Sequence, residues 1–252
     1  MSRALITFNQ LSVSFAADKG RVRAVQEVSF TIRAGQTVGV VGKSGCGKSV
    51  TAMSLMGLLP PQAARIDGGE ILFEDQDLLR LKNAHMADLR GNQLAMIFQE
   101  PMSALNPVLT VGEQLCEPLI RHRGESPKIA WQHAIQLLAD VGLARADSLM
   151  ASYPHQLSGG MLQRVMIAMA LSCQPKLLIA DEPTTALDVT VQAQILRLLR
   201  DQARANRMAM MLITHDLGVI AQMAEHVVVM YAGRIVEQGA TATILRNPQH
   251  RS

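Results

Sequence analysis

Two runs of alternating apolar and polar residues open the chain, Ile6 to Phe15 and Ala24 to Ile32, with the polar stretch Ala17-Asp18-Lys19-Gly20-Arg21 between them. A period of two predicts a half-buried strand on each side and a hairpin turn in the middle. Ala34-Gly35-Gln36 marks a second turn. Thr37-Val38-Gly39-Val40-Val41 follows, short, apolar and mostly β-branched, as a strand buried in a parallel sheet should be. Ser49 to Leu59 then carries Ala, Met and Leu at helical spacing, with Pro60-Pro61 as the expected stop. Gly68 to Phe73 predicts another strand, and Leu94 to Phe98 a buried one.

Between Pro101 and Gln156 the pattern changes. Pro and Asn turns give way to helical periodicity from Ile129 to Val141, and then to Tyr153-Pro154. Strand and helix alternate again afterwards: Leu177 to Ala180, a helix from Thr190 to about Asn206, Met208 to Ile213, a helix from Leu217 to Ala224, and Val227 to Met230. Such alternation implies a mainly parallel sheet with helices on its faces. The expectation is a single α/β domain over 1–252. Its core, with an N-terminal antiparallel β part, takes about 1–100 and 157–252, and a helical insertion takes about 101–156.

Composition narrows the picture only slightly. The 24 basic and 21 acidic residues leave a net charge of +3, with no basic stripe for nucleic acid and no polybasic membrane anchor. Three cysteines, Cys46, Cys116 and Cys173, lie far apart without metal-ligand spacing, which argues for reduced thiols and a cytoplasmic setting. No stretch has the h-region of a signal peptide or the ~18 apolar residues of a membrane span. The protein is therefore expected to be soluble, or peripheral through a partner. Most of the 15 methionines are expected in the core.

Gly42-Lys43-Ser44-Gly45-Cys46-Gly47-Lys48-Ser49 matches the phosphate-binding loop pattern G-x-x-x-x-G-K-[ST], and Val50 follows it into the helix. Strand, glycine loop and helix is the context this motif requires, and it distinguishes the loop from an ordinary glycine turn. Backbone N–H groups would cradle phosphate oxygens at a helix N-terminus. Lys48 would meet the terminal phosphates, and the Ser49 hydroxyl would coordinate Mg²⁺. Cys46 reads as a small residue that keeps loop N–H groups free.

Leu177 to Ala180 runs into Asp181-Glu182. Asp181, at the edge of that strand, can reach a Mg²⁺ shell. Glu182 can orient and deprotonate attacking water. Many strands end in acids, so the pair gains meaning only beside the phosphate loop. Leu157-Ser158-Gly159-Gly160-Met161-Leu162-Gln163-Arg164 places an N-cap serine and two glycines at the head of a second helix. One short chain thus carries two anion-binding helix ends.

Glycine loop, Gln99, the Leu-Ser-Gly-Gly segment, Asp181-Glu182, Ala186-Leu187-Asp188 and His215 stand in the order of the ATP-binding cassette family, which the chain resembles over nearly all its length. That resemblance implies a P-loop NTPase fold of ABC type and head-to-tail pairing of two cassettes. Each ATP then lies between one subunit's phosphate loop (Gly42 to Val50) and the partner's Ser158, Gly159 and Gly160. It makes Gln99 a contact to Mg²⁺ and the attacking water, and His215 the switch that bonds the γ-phosphate and positions Glu182. Asp188 becomes the aspartate that communicates across the dimer, and Phe15 the ring that stacks on adenine, unless it is core packing.

Within the family, Phe98 to Pro107, Glu182 to Thr190 and Tyr153-Pro154-His155-Gln156 resemble the dipeptide, oligopeptide and nickel importer branch. The resemblance implies an ATPase bound to two transmembrane permease subunits and a second cassette, like or unlike itself. A solute-binding protein would act indirectly, and no nucleic acid would be involved. The location would be the cytoplasmic face of the inner or plasma membrane. The helical insertion, entered through Pro101, Met102, Leu105 and Pro107, would dock on the permeases. Peptide cargo is preferred, a nickel or metal-chelate importer is the alternative, and a soluble ABC ATPase is the more distant one. Two departures stand out: Lys43 replaces an acid common in the branch, and the chain stops at Asn247 to Ser252, where the branch continues into a cysteine-bearing extension. The expectation is a cassette without that extension.

Overall fold

Strand alternation becomes a long hairpin at the N-terminus, and the computed structural model describes residues 3–184 and 187–247. Ala186 of the aspartate-bearing segment and the terminal stretch 248–252 lie outside the described residues. In chain order the strands are β1 (Ala4–Ala17), β2 (Gly20–Arg33), β3 (Thr37–Val41), β4 (Ala64–Phe73), β5 (Gln76–Asp77), β6 (Leu94–Ile97), β7 (Leu177–Asp181), β8 (Ala209–Ile213), β9 (His226–Tyr231) and β10 (Arg234–Ala240). The helices are α1 (Lys48–Met56), α2 (Asn83–Leu89), α3 (Pro101–Ala104), α4 (Val111–Arg123), α5 (Pro127–Asp140), α6 (Ala146–Leu149), α7 (Gly159–Leu171), α8 (Val189–Asn206), α9 (Leu217–Met223) and α10 (Thr241–Arg246). The chain divides into two compact units, with boundaries at Ala87/Asp88 and Met208/Ala209.

The first unit holds an antiparallel sheet in the order β2-β1-β4-β5 and the strands β10-β9-β3-β8. β3 is parallel to both β8 and β9, and β10 closes antiparallel on β9. The hairpin alternation is broken twice. Gln10 (φ 50°) and Glu27 (φ 52°) take left-handed backbone, and the register slips between Phe8 and Leu11. Serine hydroxyls hold both kinks: Ser29 Oγ accepts from the Gln10 N–H at 2.8 Å, and Ser12 Oγ from the Glu27 N–H at 3.0 Å. Beneath the sheet, Phe8 stacks on Phe30 with ring centroids 4.4 Å apart, among fully buried Ile6, Leu11, Val13, Val25 and Ile71.

In the second unit β6 and β7 pair in parallel, all of their residues buried. The stretch 101–156 holds helices and turns with no strand. α4 has no forerunner in the periodicity, because Pro118 stands in its interior. It forms nonetheless, with a capping box in which Thr110 and Glu113 satisfy each other's backbone N–H groups. α1 ends earlier than expected: Gly57 (φ 61°) turns the chain, donating with Leu58 to the Ser54 and Met53 carbonyls, so Pro60-Pro61 lie beyond the helix end.

Candidate functional site

The phosphate loop grows out of the C-terminal end of β3. A Cβ at Gly42 would lie 2.2 Å from the Met230 carbonyl oxygen and 2.6 Å from Cys46 Sγ; at Gly47 (φ 105°) it would lie 2.5 Å from the Ala24 carbonyl. Only glycine lets the loop close so tightly on its surroundings. Gly47 is also the N-cap of α1 and supplies no side-chain cap. The first-turn N–H groups of Lys48, Ser49 and Val50 therefore have no intrahelical acceptor and sit at the positive end of the helix.

Lys48 is only 6% exposed. Its ammonium donates to the carbonyls of Gly42 at 2.7 Å and Lys43 at 3.1 Å. The cation is thus already placed on the loop by the loop's own backbone. Lys43, Ser44 and Gly45 are exposed, while Cys46 is buried. The Cys46 N–H closes a turn on the Lys43 carbonyl at 3.2 Å, so this residue does not leave its own N–H for an anion.

His215 belongs to the same unit. Val40 of β3 pairs with Ile213 of β8, so Gly42 and His215 each stand two residues beyond a paired position on neighbouring parallel strands. The carboxyl edge of a parallel sheet is where α/β proteins hold ligands. Asp216 next to it caps α9, accepting from Gly218 N–H at 2.7 Å and Val219 N–H at 3.3 Å. Phe15 lies two residues before the end of β1, half-buried, paired with Val22 and Ala64. β2 continues from Val22 to Ala24, whose carbonyl lies against Gly47. The ring is therefore on the strand pair that leads to the loop, and outside the fully buried core.

In the second unit the decisive pair is Gln99 and Glu182. Ile97 pairs with Ala180, and two residues on the Gln99 amide donates to Glu182 Oε2 at 3.2 Å. Asp181 is 5% exposed at the end of β7. Glu182 adopts φ 46°, a left-handed backbone that costs a non-glycine residue roughly 1–2 kcal/mol. Strain of this kind collects where a side chain must be aimed.

Ser158 caps α7, its Oγ accepting from the Met161 N–H at 3.4 Å. Gly159 is exposed, and a Cβ there would meet nothing within 4 Å. Asp188 caps α8 in the same manner, through Thr190 N–H at 3.0 Å and Val191 N–H at 2.9 Å. Burial pushes the Cys116 and Cys173 thiols above the usual range, which disfavours the thiolate form. Among the described residues no group of three or more His, Cys, Asp or Glu could hold a metal ion, and no helix is long and apolar enough to cross a membrane.

The ABC transporter family pattern matches residues 25–185. The chain is 52% identical over 246 residues to the dipeptide transport ATP-binding protein DppD of Bacillus subtilis, covering 98% of this chain and 73% of that protein. This chain belongs to the ABC transporter family. The oligopeptide transport ATP-binding protein OppD of Salmonella typhimurium is 51% identical over 249 residues, 99% of this cassette and 74% of its own length. The fold agrees as well. A dimeric, post-hydrolysis structure of the ATP-binding cassette MJ0796 bound to ADP and Pi matches with a TM-score of 0.84 at 26% identity, over 94% of this chain and 98% of that one.

Two polar residues of the cassette carry structure that motif reading does not reveal. Gln163, 2% exposed in α7, donates to the Pro183 carbonyl at 2.6 Å. Gln114, 7% exposed in α4, accepts from the Asn106 N–H at 2.8 Å and donates to the Asn106 and Leu109 carbonyls at 3.0 Å, holding the turn that precedes the helix. A glutamine inside a helix gives no periodic signal, and each partner is a backbone group that sequence does not mark.

Proposed function

We propose that this ABC protein is the ATP-hydrolysing subunit of an importer of dipeptides or oligopeptides. The observation that carries the catalytic part is the phosphate loop, with an α1 head that has no side-chain cap and the Lys48 ammonium held on the loop by the Gly42 and Lys43 carbonyls. The cargo is supported by the dipeptide and oligopeptide transport names of relatives about half identical over almost the whole chain.

In this reading Gly42 to Val50 hold the β- and γ-phosphates, and Phe15 stacks on adenine. Glu182 accepts the proton of the attacking water, and Gln99 and His215 orient the reacting groups. Ser158, Gly159 and Gly160 serve the γ-phosphate of a second cassette, and Asp188 carries the signal between the two. Ser49, Asp181 and Gln99 suit Mg²⁺, since all offer hard oxygen donors; Gln99 gives its N–H to Glu182 and so keeps its carbonyl oxygen for a cation. Bound there, Mg²⁺ would neutralise charge on the phosphates. An ion that takes one or two protein oxygens alongside phosphates needs no preformed cage.

Two transmembrane permease subunits and a second cassette complete the assembly, at the cytoplasmic face of the membrane, with a solute-binding protein delivering cargo. Uptake of a labelled dipeptide and tripeptide by cells lacking this chain, with and without its restoration, tests the proposal. Peptide uptake that returns with the wild-type chain and not with Lys48→Ala supports it. Uptake of nickel restored in its place would overturn the peptide cargo, and no ATP hydrolysis by the purified chain with its partner subunits would overturn the enzyme.

A further inference from the structure

We propose that Gln163 is a positioning residue for the general base, acting through Pro183 on Glu182. The inference deepens the proposed function and rests on Glu182 being that base. The Gln163 side chain is 2% exposed, so its amide must find partners within the protein. It finds the Pro183 carbonyl at 2.6 Å, a short bond between residues 20 positions apart in sequence. Pro183 is itself buried, has no N–H to donate, and has its own φ fixed by the ring. Of its backbone polar groups only the carbonyl is left to anchor the turn. Immediately before it, Glu182 holds φ 46°, a conformation that persists only when its surroundings over-determine it.

Two hydrogen bonds therefore aim the carboxylate. Gln99 fixes the Glu182 side chain at Oε2, and Gln163 fixes the backbone that follows it. Gln163 also sits one turn into α7, the helix that starts at Ser158. The helix head assigned to the partner's phosphate and the turn that carries the base assigned to this chain's water are thus joined by one buried hydrogen bond. Glu182 touches the reacting water in this scheme, while Gln163 touches only the turn.

The test is steady-state ATP hydrolysis by the full chain carrying Gln163→Leu, Gln163→Glu or Glu182→Gln. Gln163→Leu should lower kcat by about tenfold to a hundredfold while KM for ATP stays within twofold, because the phosphate loop is untouched. Gln163→Glu gives a signature that a purely structural glutamine would not. Its buried carboxyl donates to Pro183 only when protonated, and burial raises its pKa. Its kcat relative to wild type should be near unity at low pH and fall as pH rises through that pKa. If Gln163→Leu does not fold, this profile alone decides. A Gln163→Glu profile parallel to wild type beside an inactive Glu182→Gln would overturn the positioning role and leave the base intact. Undiminished turnover in Glu182→Gln would remove the base itself, and the role of Gln163 with it.

Discussion

The Gln99 amide and Glu182 Oε2 stand 3.2 Å apart, joined by a hydrogen bond across the ends of two neighbouring parallel strands. A neutral donor orients a carboxylate without cancelling its charge, so the direction of Glu182 is set while its charge is kept. β6 and β7 are buried along their whole length, so the two strands from which these residues extend have little room to move. Side chains that must act together are best mounted on elements of this kind.

Replacing Glu182 with Gln should preserve ATP binding and slow hydrolysis by roughly 10²–10⁴-fold, since an amide takes no proton from water. Nucleotide titration and phosphate release, measured on the same preparation, check both halves. Turnover within a few-fold of wild type would mean that another base operates.

Lys48→Ala should weaken ATP binding by about 10- to 100-fold, through loss of a charge-assisted contact to the terminal phosphates. The same ammonium bridges the Gly42 and Lys43 carbonyls in the chain itself, so the variant should also show a more mobile loop by amide exchange. Unchanged nucleotide affinity would sink the assignment of the loop.

Much of this site was legible because local chemistry and local structure coincide. The loop from Gly42 to Ser49 follows a buried β-branched strand and opens a helix, and each part can be read without tertiary information. The first hairpin was legible in outline, but the kinks at Gln10 and Glu27 were not. Their left-handed backbone is held by Ser29 and Ser12 on the facing strand, a relationship that no local pattern encodes. β10 escaped because its residues are exposed or half-buried and do not alternate cleanly. Leu105 was expected at a docking surface, yet it is 3% exposed and belongs to the core. An apolar residue among prolines looks alike in both settings. Gln163 was visible as part of a motif, while its partner Pro183 was set only by folding.

The capping box at the head of α4 gives a pH-dependent contribution to stability. Glu113 Oε2 accepts from the Thr110 hydroxyl and from its N–H, each at 2.7 Å, and the hydroxyl chiefly holds the carboxyl below its usual pKa. A group depressed on folding stabilises fully above its unfolded pKa, and that stabilisation fades as pH falls through the folded one. Thr110→Ala should lower Tm by about 2–4 °C at pH 7. The difference from wild type should shrink towards pH 3. A gap that stays constant over that range would show that the Glu113 charge contributes nothing.

Docking on permease subunits, the role proposed for the helical stretch 101–156, can be probed at its exposed apolar residues. Met102 is 49% and Val108 75% exposed, and both lie shortly after Gln99 in the chain. Cysteines at these two positions should crosslink to the permease, with yields that change when ATP is added. Leu105→Cys, from a buried position, should not crosslink. Absence of crosslinks from both exposed positions would place the docking surface elsewhere.

The two glycine-bearing helix heads, at Lys48 and at Ser158, lead to the last prediction. Internal packing does not explain the glycines of the second one: a Cβ at Gly159 would meet nothing within 4 Å, and one at Gly160 only Leu187 Cδ2 and Val191 Cγ1 at 4.0 Å. Their smallness leaves room for an approaching anion, which the proposed pairing with a second cassette would supply. Activity should then depend on encounter, and specific ATPase activity at saturating ATP should rise with protein concentration. Ser158→Arg should block the helix head while leaving ATP binding to the phosphate loop intact. Ser158→Asp is the sharper variant, because aspartate caps a helix as well as serine does and yet repels a phosphate. Loss of activity in Ser158→Asp, with Tm and ATP affinity kept, would separate phosphate contact from helix stability. Specific activity flat across a wide dilution series, with both Ser158 variants fully active, would show that a single chain suffices and that no shared site exists.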